Sequence, residues 1–370
     1  MKKRHLFGLF AMAAFAFVGC SQDEVVSQSP DVNKAIEFGT YVGRDASSRG
    51  SVQDMASLTG TNATGFGVFA YYTNSVGGYD ASSSTPNFMY NQQVTGTATT
   101  VESTTTYAWT YSPLRYWPTG ANDKLTFFAY APYNRSASLT GNTVPGNPKL
   151  TFTVNQTVKN QIDLLYAGNF SELQNKTKTD AAVNFKFNHA LSRIGFKVKA
   201  SDDRTTGLAV DGATKITVQE VQISFGDTYL ASGTLDLGTG TWSHTGVNAA
   251  SQTYTLSTNT SNLENVEANA TAQLLNTADS YIMIIPQDID SESIKVNVEY
   301  TITTTDANVN GGSTVMTGNI LTSAPFEFNF EKGKAYNFVL DLGLKTIKLT
   351  AEVANWDIPE GADNNVSFGS

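Results

Sequence analysis

Apolar and polar residues alternate along much of this 370-residue chain. The alternation is unbroken in residues 293–300 (SIKVNVEY) and 346–353 (TIKLTAEV), and it shifts phase once in residues 215–223 (KITVQEVQI). A period of two turns one side of a strand toward a core and the other toward water. Residues 281–285 (YIMII) are continuously apolar and precede Pro286, which indicates a central strand. No 3.6-residue period is sustained, so the pattern predicts an all-β fold of the β-sandwich type.

The polar stretches divide the chain into two halves. Residues 171–180 are rich in Lys and Thr, and we interpret them as a linker between a domain at 35–180 and a second domain at 181–370. The second half opens with a strand, a tight turn and another strand at 181–198. Residues 79–106 and 247–272 are rich in Ser, Thr and Asn, which predicts long loops or edge hairpins.

The N-terminus has the organisation of an export signal. Five residues (MKKRH) precede an apolar run at 6–18 that is too short to span a membrane, and the run is followed by Gly19 and Cys20. This pattern resembles a bacterial lipoprotein signal, with residues 1–19 removed, Cys20 carrying palmitate-type chains, and residues 20–34 acting as a tether. Two or more acyl chains hold a protein firmly on a membrane. We therefore expect attachment to the outer membrane on its non-cytoplasmic side.

Composition narrows the function classes. Cys20 is the only cysteine, so the exported part has no disulfide and no cysteine metal cluster. The net charge of −9 argues against a nucleic-acid partner. His189 and His244 lie in no catalytic or metal-binding sequence pattern, and we interpret His189 as a turn residue with a backbone hydrogen bond. Without a nucleophile elbow or a phosphate-binding glycine loop, we predict neither an enzyme nor a cofactor or metal site.

Four segments together resemble one known family. They are residues 112–118 with 125–132 (SPLRYWP, LTFFAYAP), 188–194 (NHALSRI), 281–287 (YIMIIPQ), and 333–343 with 353–356 (GKAYNFVLDLG, VANW). With the lipoprotein leader, their order and spacing resemble the fimbrillin-like proteins, the pilins of type V fimbriae. This resemblance implies two transthyretin-like β-sandwich domains in tandem. It also implies a fimbrial subunit or tip adhesin at the cell surface, which binds other subunits head to tail.

The resemblance further implies processing by a trypsin-like protease. Residues 34–42 are predicted to form a strand with Ile36, Phe38, Thr40 and Val42 on one face. Small polar residues then surround Arg44 and Arg49, as in exposed and protease-sensitive loops. We predict cleavage after Arg49, with Arg44 as the second choice. In the family such a cut releases the lipidated first strand, and a strand of the next subunit fills the groove.

The donor strand and the role in a fibre stay open at the sequence level. Val366 and Phe368 alternate as a donor strand would, but the tail is short, which leaves stalk, tip and anchor roles open. The alternative function is a monomeric surface lipoprotein that anchors fimbriae or binds glycan. Its binding platform would consist of exposed tyrosines, and a host glycan or protein would be its partner. The candidate rings are those of Tyr71, Tyr72, Tyr79, Tyr90 and Tyr107.

Overall fold

In a computed structural model, nearly all regular structure is β-strand, which confirms the all-β prediction. Helix in the described part of the chain is limited to α1 (Met55–Thr59) and two 3₁₀ turns, Val158–Asn160 and Ser171–Leu173. The structure describes residues 34–42, 55–60, 62–102, 104–168, 171–180, 182–200, 213–244, 252–263, 272–275, 281–343, 347–356 and 364–367.

Twenty-two strands are present in these residues. They are β1 (Phe38–Val42), β2 (Phe66–Asn74), β3 (Met89–Val101), β4 (Thr104–Thr110), β5 (Asp123–Ala131), β6 (Ser138–Leu139), β7 (Lys149–Thr153), β8 (Leu165–Ala167), β9 (Val183–His189), β10 (Ser192–Ala200), β11 (Thr214–Phe225), β12 (Ser232–Asp236), β13 (Trp242–Ser243), β14 (Gln252–Leu263), β15 (Gln273–Leu274), β16 (Ile282–Ile284), β17 (Gln287–Thr305), β18 (Ser313–Thr322), β19 (Phe326–Phe330), β20 (Lys334–Leu342), β21 (Ile347–Asn355) and β22 (Asn364–Ser367).

The first half of the chain builds a seven-stranded sheet in the order β1-β9-β8-β5-β2-β3-β4. Its central strand β5 reads DKLTFFAYA and is buried on both faces. Leu125 and Phe127 point to a core on one side of the sheet, whereas Phe128 and Tyr130 point to a core on the other side. A strand covered on both faces needs a nearly continuous apolar sequence, which β5 supplies.

Three smaller sheets complete the molecule. Their strand orders are β15-β10-β20-β21-β22 with β16 beside β10, β14-β11-β17-β18 with β19 beside β17, and β13-β12-β7-β6. Buried side chains from these sheets join those on one face of the seven-stranded sheet in a single apolar cluster. The two halves of the chain therefore share a core.

Two pairings connect the predicted halves. Strand β9, which follows residue 180, pairs with β1 and β8 in the seven-stranded sheet. Strand β12 of the second half pairs with β7 of the first half. The two strands predicted within 181–198 are thus present as β9 and β10, but they belong to different sheets. The division at 180/181 into two tandem sandwiches stays a prediction.

Candidate strand-exchange groove

The first strand lies at the edge of the seven-stranded sheet, parallel to β9. Phe38 is opposite Val183, and the register continues to Val42 opposite Phe187. The N–H group of Val183 donates a hydrogen bond of 2.9 Å to the carbonyl of Glu37. This side of the strand is therefore held by a regular backbone ladder, which gives affinity with little dependence on side-chain identity.

Residues just before β1 also bond on their other side. Ile36 donates its N–H to the carbonyl of Arg115 at 2.9 Å, and Trp117 donates to the carbonyl of Lys34 at 3.0 Å. The phenol of Tyr111 donates to the carbonyl of Ile36 at 2.9 Å. The first part of the segment, residues 34–36, thus bonds to residues 115–117, and the rest pairs with β9.

Two apolar side chains of this segment lie in the core that also contains Leu125 and Phe127, on one side of the seven-stranded sheet. Ile36 is 1% exposed and Phe38 is 7% exposed, whereas Glu37 between them is exposed. The ring of Phe38 lies 5.6 Å from that of Phe185, and further aromatic neighbours surround it, namely Tyr111 at 5.1 Å, Phe127 at 6.1 Å and Phe66 at 6.5 Å. Removal of the segment would open an apolar groove with aromatic walls.

The remaining members of the predicted strand face are less well defined by contacts. Thr40 is half-buried and belongs to β1. Val42 ends β1, and its side chain lies outside the described residues.

Burial of Ile36 and Phe38 contributes about 1.5–3 kcal/mol each, and each backbone hydrogen bond contributes about 0.5–1.5 kcal/mol. The segment is therefore held firmly, but by noncovalent contacts once the chain after it is cut.

Both predicted processing residues follow this strand in the sequence. Arg44 and Arg49 lie outside the described residues, and so does Cys20. Strand β1 ends at Val42 and α1 begins at Met55, so a cut after either arginine would fall between these two elements. Such a cut would separate the whole of β1 from the rest of the chain.

The predicted donor segment is paired within its own molecule. Strand β22 lies at a sheet edge and pairs antiparallel with β21, with Val366 opposite Ala351. The pairing spans four residues, from Asn364 to Ser367. Phe368 lies outside the described residues. A short edge strand of this kind is easier to detach than a strand paired on both sides.

The tyrosines of the alternative function do not form one exposed platform. Tyr71 is 1% exposed and donates to the carbonyl of Gly146 at 2.8 Å. Tyr72 and Tyr79 are half-buried, and Tyr79 donates to Asn147 at 2.6 Å. Only Tyr90 and Tyr107 of this set are more than a third exposed, at 37% and 38%. The burial of Tyr71 excludes that ring from ligand binding.

His189 has a carboxylate partner that the sequence pattern did not indicate. The ring nitrogen Nδ1 is 3.0 Å from the buried carboxylate of Asp163, and the imidazole stacks on Trp356 at 4.2 Å between ring centroids. The interpretation as a turn residue was wrong, because His189 is the last residue of β9, and its carboxylate partner comes from a segment 26 residues earlier. Trp356 is 4% exposed, and this cluster fixes the end of β21 against the end of β9.

The described residues contain neither a candidate metal site nor a candidate membrane-spanning helix. Within the ranges that the structure describes, no cluster of three or more His, Cys, Asp or Glu side chains could hold a metal ion. In the same ranges, no helix has the length and apolar character needed to cross a membrane. The groove around β1 combines buried apolar side chains with backbone groups that would lose their partners if residues 34–42 left.

Known proteins resemble this chain in sequence and fold. A family model described as fimbrillin-like matches residues 56–356. Fimbrium subunit Fim1C of Phocaeicola vulgatus (strain ATCC 8482) is 29% identical, over 97% of this chain and 98% of that protein. A crystal structure of a fimbrial protein from Bacteroides vulgatus ATCC 8482 is 26% identical and has a TM-score of 0.66, covering 88% of this chain and 100% of that one.

Proposed function

The chain belongs to the fimbrillin-like family, and we propose that it is a fimbrial subunit that is trimmed at an N-terminal arginine and assembled by strand exchange. The observation that carries this proposal is the position of β1. Residues 34–42 fill an apolar groove in which residues 34–36 bond to residues 115–117 and the rest pair with β9, and a cut after Arg49 would leave them held by noncovalent contacts alone. Fimbrial relatives over almost the whole length support a role in a surface appendage used for adhesion.

The proposed sequence of events begins at the membrane. Cys20 is acylated after export, and the lipid holds the precursor on the outer membrane at the cell surface. A trypsin-like protease then cuts after Arg49, or after Arg44. The lipidated segment leaves with β1, so the mature subunit is released from the membrane and has an open groove. No catalytic chemistry of its own is needed for any of these steps.

Strand exchange follows from the physical state of the emptied groove. Loss of Ile36 and Phe38 exposes the rings of Phe127 and Phe185 and leaves two unpaired backbone edges. Such a surface is prone to association until a strand covers it. A strand of another subunit that covers it forms a head-to-tail contact, which does not close and therefore propagates as a filament.

The experiment is limited trypsin digestion of the protein without residues 1–20, followed by N-terminal mass analysis and electron microscopy. We expect one cut, after Arg49 or Arg44, followed by multimers that elongate with time. The matched control carries R44Q and R49Q, and it should stay uncut there and monomeric. A wild-type protein that is cut but remains monomeric would overturn polymerisation and favour the glycan-binding or anchoring lipoprotein.

A further inference from the structure

A cleft lies where strands β6 and β7 part. Its volume is about 540 Å³, which is in the ordinary range for ligand pockets. Ser138 is opposite Thr151 in the short ladder of these two strands, and the chain before Ser138 leaves β7 and lines the cleft instead. None of the described residues that line the cleft belongs to residues 34–42 or to β22. The cleft is therefore separate from the groove that β1 fills.

A turn held by hydrogen bonds keeps β6 and β7 apart at this point. The N–H group of Ser136 donates to the side-chain oxygen Oδ1 of Asn134 at 2.8 Å, and the N–H group of Ala137 donates to the carbonyl of Asn134 at 3.2 Å. The buried phenol of Tyr130 is 2.9 Å from the same carbonyl and accepts a hydrogen bond from the N–H group of Asn134. Because the turn uses the N–H group of Ser136, this residue does not continue the ladder along β7.

The backbone of Thr153 is open at the same point. The N–H group of Val154 donates to the carbonyl of Ala231, just before β12, so the N–H and C=O groups of Thr153 point to the other edge of β7. In a continued ladder their partner would be Ser136, two residues before Ser138. No described residue bonds to these two groups. Both Thr153 and Ser136 line the cleft, which therefore offers a backbone donor and a backbone acceptor.

Hydroxyl groups line the cleft as well. Those of Thr64, Tyr133, Ser136 and Ser138 have no hydrogen-bond partner among the described residues. A hydroxyl group can donate and accept, so this set suits a ligand whose own groups do both. Within the described part of the chain, no charged side chain lines the cleft, so an anionic or cationic ligand would find no counter-charge there.

One wall of the cleft is apolar. Leu150 and Leu164 are buried, Phe152 is half-buried, and the aliphatic side chain of Ile162 is 47% exposed. A hydrocarbon ligand would cover this wall, but it would leave the N–H group of Thr153 and the hydroxyl groups without partners, which is costly. A sugar ring has C–H groups on its faces and hydroxyl groups around its rim. Both kinds of surface in the cleft therefore have a counterpart on a saccharide.

We propose that this cleft binds a neutral saccharide, a function that goes beyond the proposed assembly and does not depend on it. The C–H face of a ring packs against Phe152 and Ile162, and the rim hydroxyls bond to the backbone of Thr153 and to the four free hydroxyl groups. This site differs from the tyrosine platform of the alternative function, because none of those five tyrosines lines it. Since residues 34–42 do not line it either, trimmed and untrimmed protein should bind alike.

An oligosaccharide array tests the proposal with the protein that lacks residues 1–20. The array carries neutral, sialylated and sulfated oligosaccharides, and a neutral peptide of alternating valine and threonine serves as the probe for strand addition at β7. We expect the strongest binding from neutral oligosaccharides. Addition of the strongest neutral binder should slow hydrogen exchange of the N–H group of Thr153, because that group gains a partner.

Three variants locate the saccharide. S136W fills the gap beside Thr153 and should weaken binding of the strongest neutral oligosaccharide at least tenfold. The matched control N142W, at an exposed position outside the cleft, should leave binding unchanged. Y133F removes one free hydroxyl group and should weaken binding about two- to tenfold. Thermal melting verifies that all three variants fold.

Several results would overturn the inference. They are no binding of any neutral oligosaccharide, binding of charged oligosaccharides or of the peptide alone, and binding that S136W and Y133F leave unchanged. Unchanged hydrogen exchange at Thr153 in the presence of bound saccharide would also overturn it. Each of these results leaves the proposed function standing, since that proposal fails only if the trimmed protein does not assemble.

Discussion

Strands β1 and β18 both lie at sheet edges, yet their apolar side chains meet opposite surroundings. In the first strand region, Ile36 and Phe38 are almost fully buried. In β18, Val315 is 55% exposed and Ile320 is 65% exposed, and five consecutive residues from Thr314 to Gly318 are exposed. Residues 34–36, just before β1, bond to residues 115–117 in addition to the pairing of β1 with β9, whereas β18 pairs with β17 alone among the described strands.

This difference shows that the number of apolar side chains in a strand and their fit into a core are separate properties. Both strands carry β-branched or aromatic residues, so the sequence of either is compatible with an exchanged strand. Only the segment around β1 inserts alternate side chains into a preformed core, where their loss would create cavities. Under the proposed function, the fit of the side chains into the groove, rather than the hydrophobicity of the strand, decides which edge is exchanged.

The largest expected effect comes from shortening Phe38. F38A in the untrimmed protein should lower the free energy of unfolding by about 3–5 kcal/mol, because it removes a buried ring and leaves a cavity among aromatic neighbours. Urea denaturation followed by tryptophan fluorescence measures the change. The control is I320A on β18, which should stay within about 0.5 kcal/mol of the wild type. Similar losses in both variants would show that burial does not distinguish the two edges.

The local features of this site could be predicted from the sequence because they depend on short-range alternation. The period of two in residues 34–42 predicts Ile36 and Phe38 on one face, and the structure buries both side chains. The apolar run at 281–285 likewise predicts a buried strand, and Ile282–Ile284 form β16 in the core. Its predicted central position was wrong, because β16 pairs with β10 alone among the described strands. Patterns over five to nine residues are sufficient for such predictions.

The long-range features could not be predicted, because pairing partners far apart in sequence leave no local signal. Nothing in residues 34–36 indicates that they bond to residues 115–117. The carboxylate beside His189 comes from Asp163, in a different segment. The exposure of Ile320 depends on which strands lie beside β18, so its apolar character alone gave no indication of exposure.

A second, smaller loss is expected from Ile36. I36A should lower the free energy of unfolding by about 2–4 kcal/mol, because the side chain is 1% exposed but lacks the aromatic contacts of Phe38. The same urea titration measures it, and I36V serves as the control with a loss of about 0.5–1.5 kcal/mol. An I36A protein as stable as I36V would mean that this part of the groove can collapse around the missing atoms.

A third variant addresses the hydrogen bond on the second side of the segment. Y111F removes the 2.9 Å bond to the carbonyl of Ile36 and should cost about 0.5–1.5 kcal/mol at neutral pH. Burial raises the pKa of Tyr111 above its ordinary value. The folded protein therefore holds this proton more tightly than the unfolded chain, and the resulting stability is present below about pH 10.

The sign of the pH dependence follows from that shift. As the pH rises above about 10, the unfolded chain ionises Tyr111 first, so the wild type loses this contribution while Y111F has none to lose. The stability difference between the two proteins should therefore shrink in alkaline solution. A difference that is constant from pH 7 to 11 would show that the phenol contributes only through packing.

The smallest effect is expected from the exposed strand. I320S should change the free energy of unfolding by less than about 0.5 kcal/mol, since a side chain that is 65% exposed loses little burial when it becomes polar. The same substitution should also leave assembly of the trimmed protein unchanged, because β18 belongs to a different sheet from β1 and β9. Electron microscopy of trimmed I320S beside trimmed wild type measures this. If I320S folds normally but fails to form multimers, β18 is a subunit contact in its own right. Exposed apolar side chains on an edge strand would then indicate an interface as reliably as buried side chains that fit a groove.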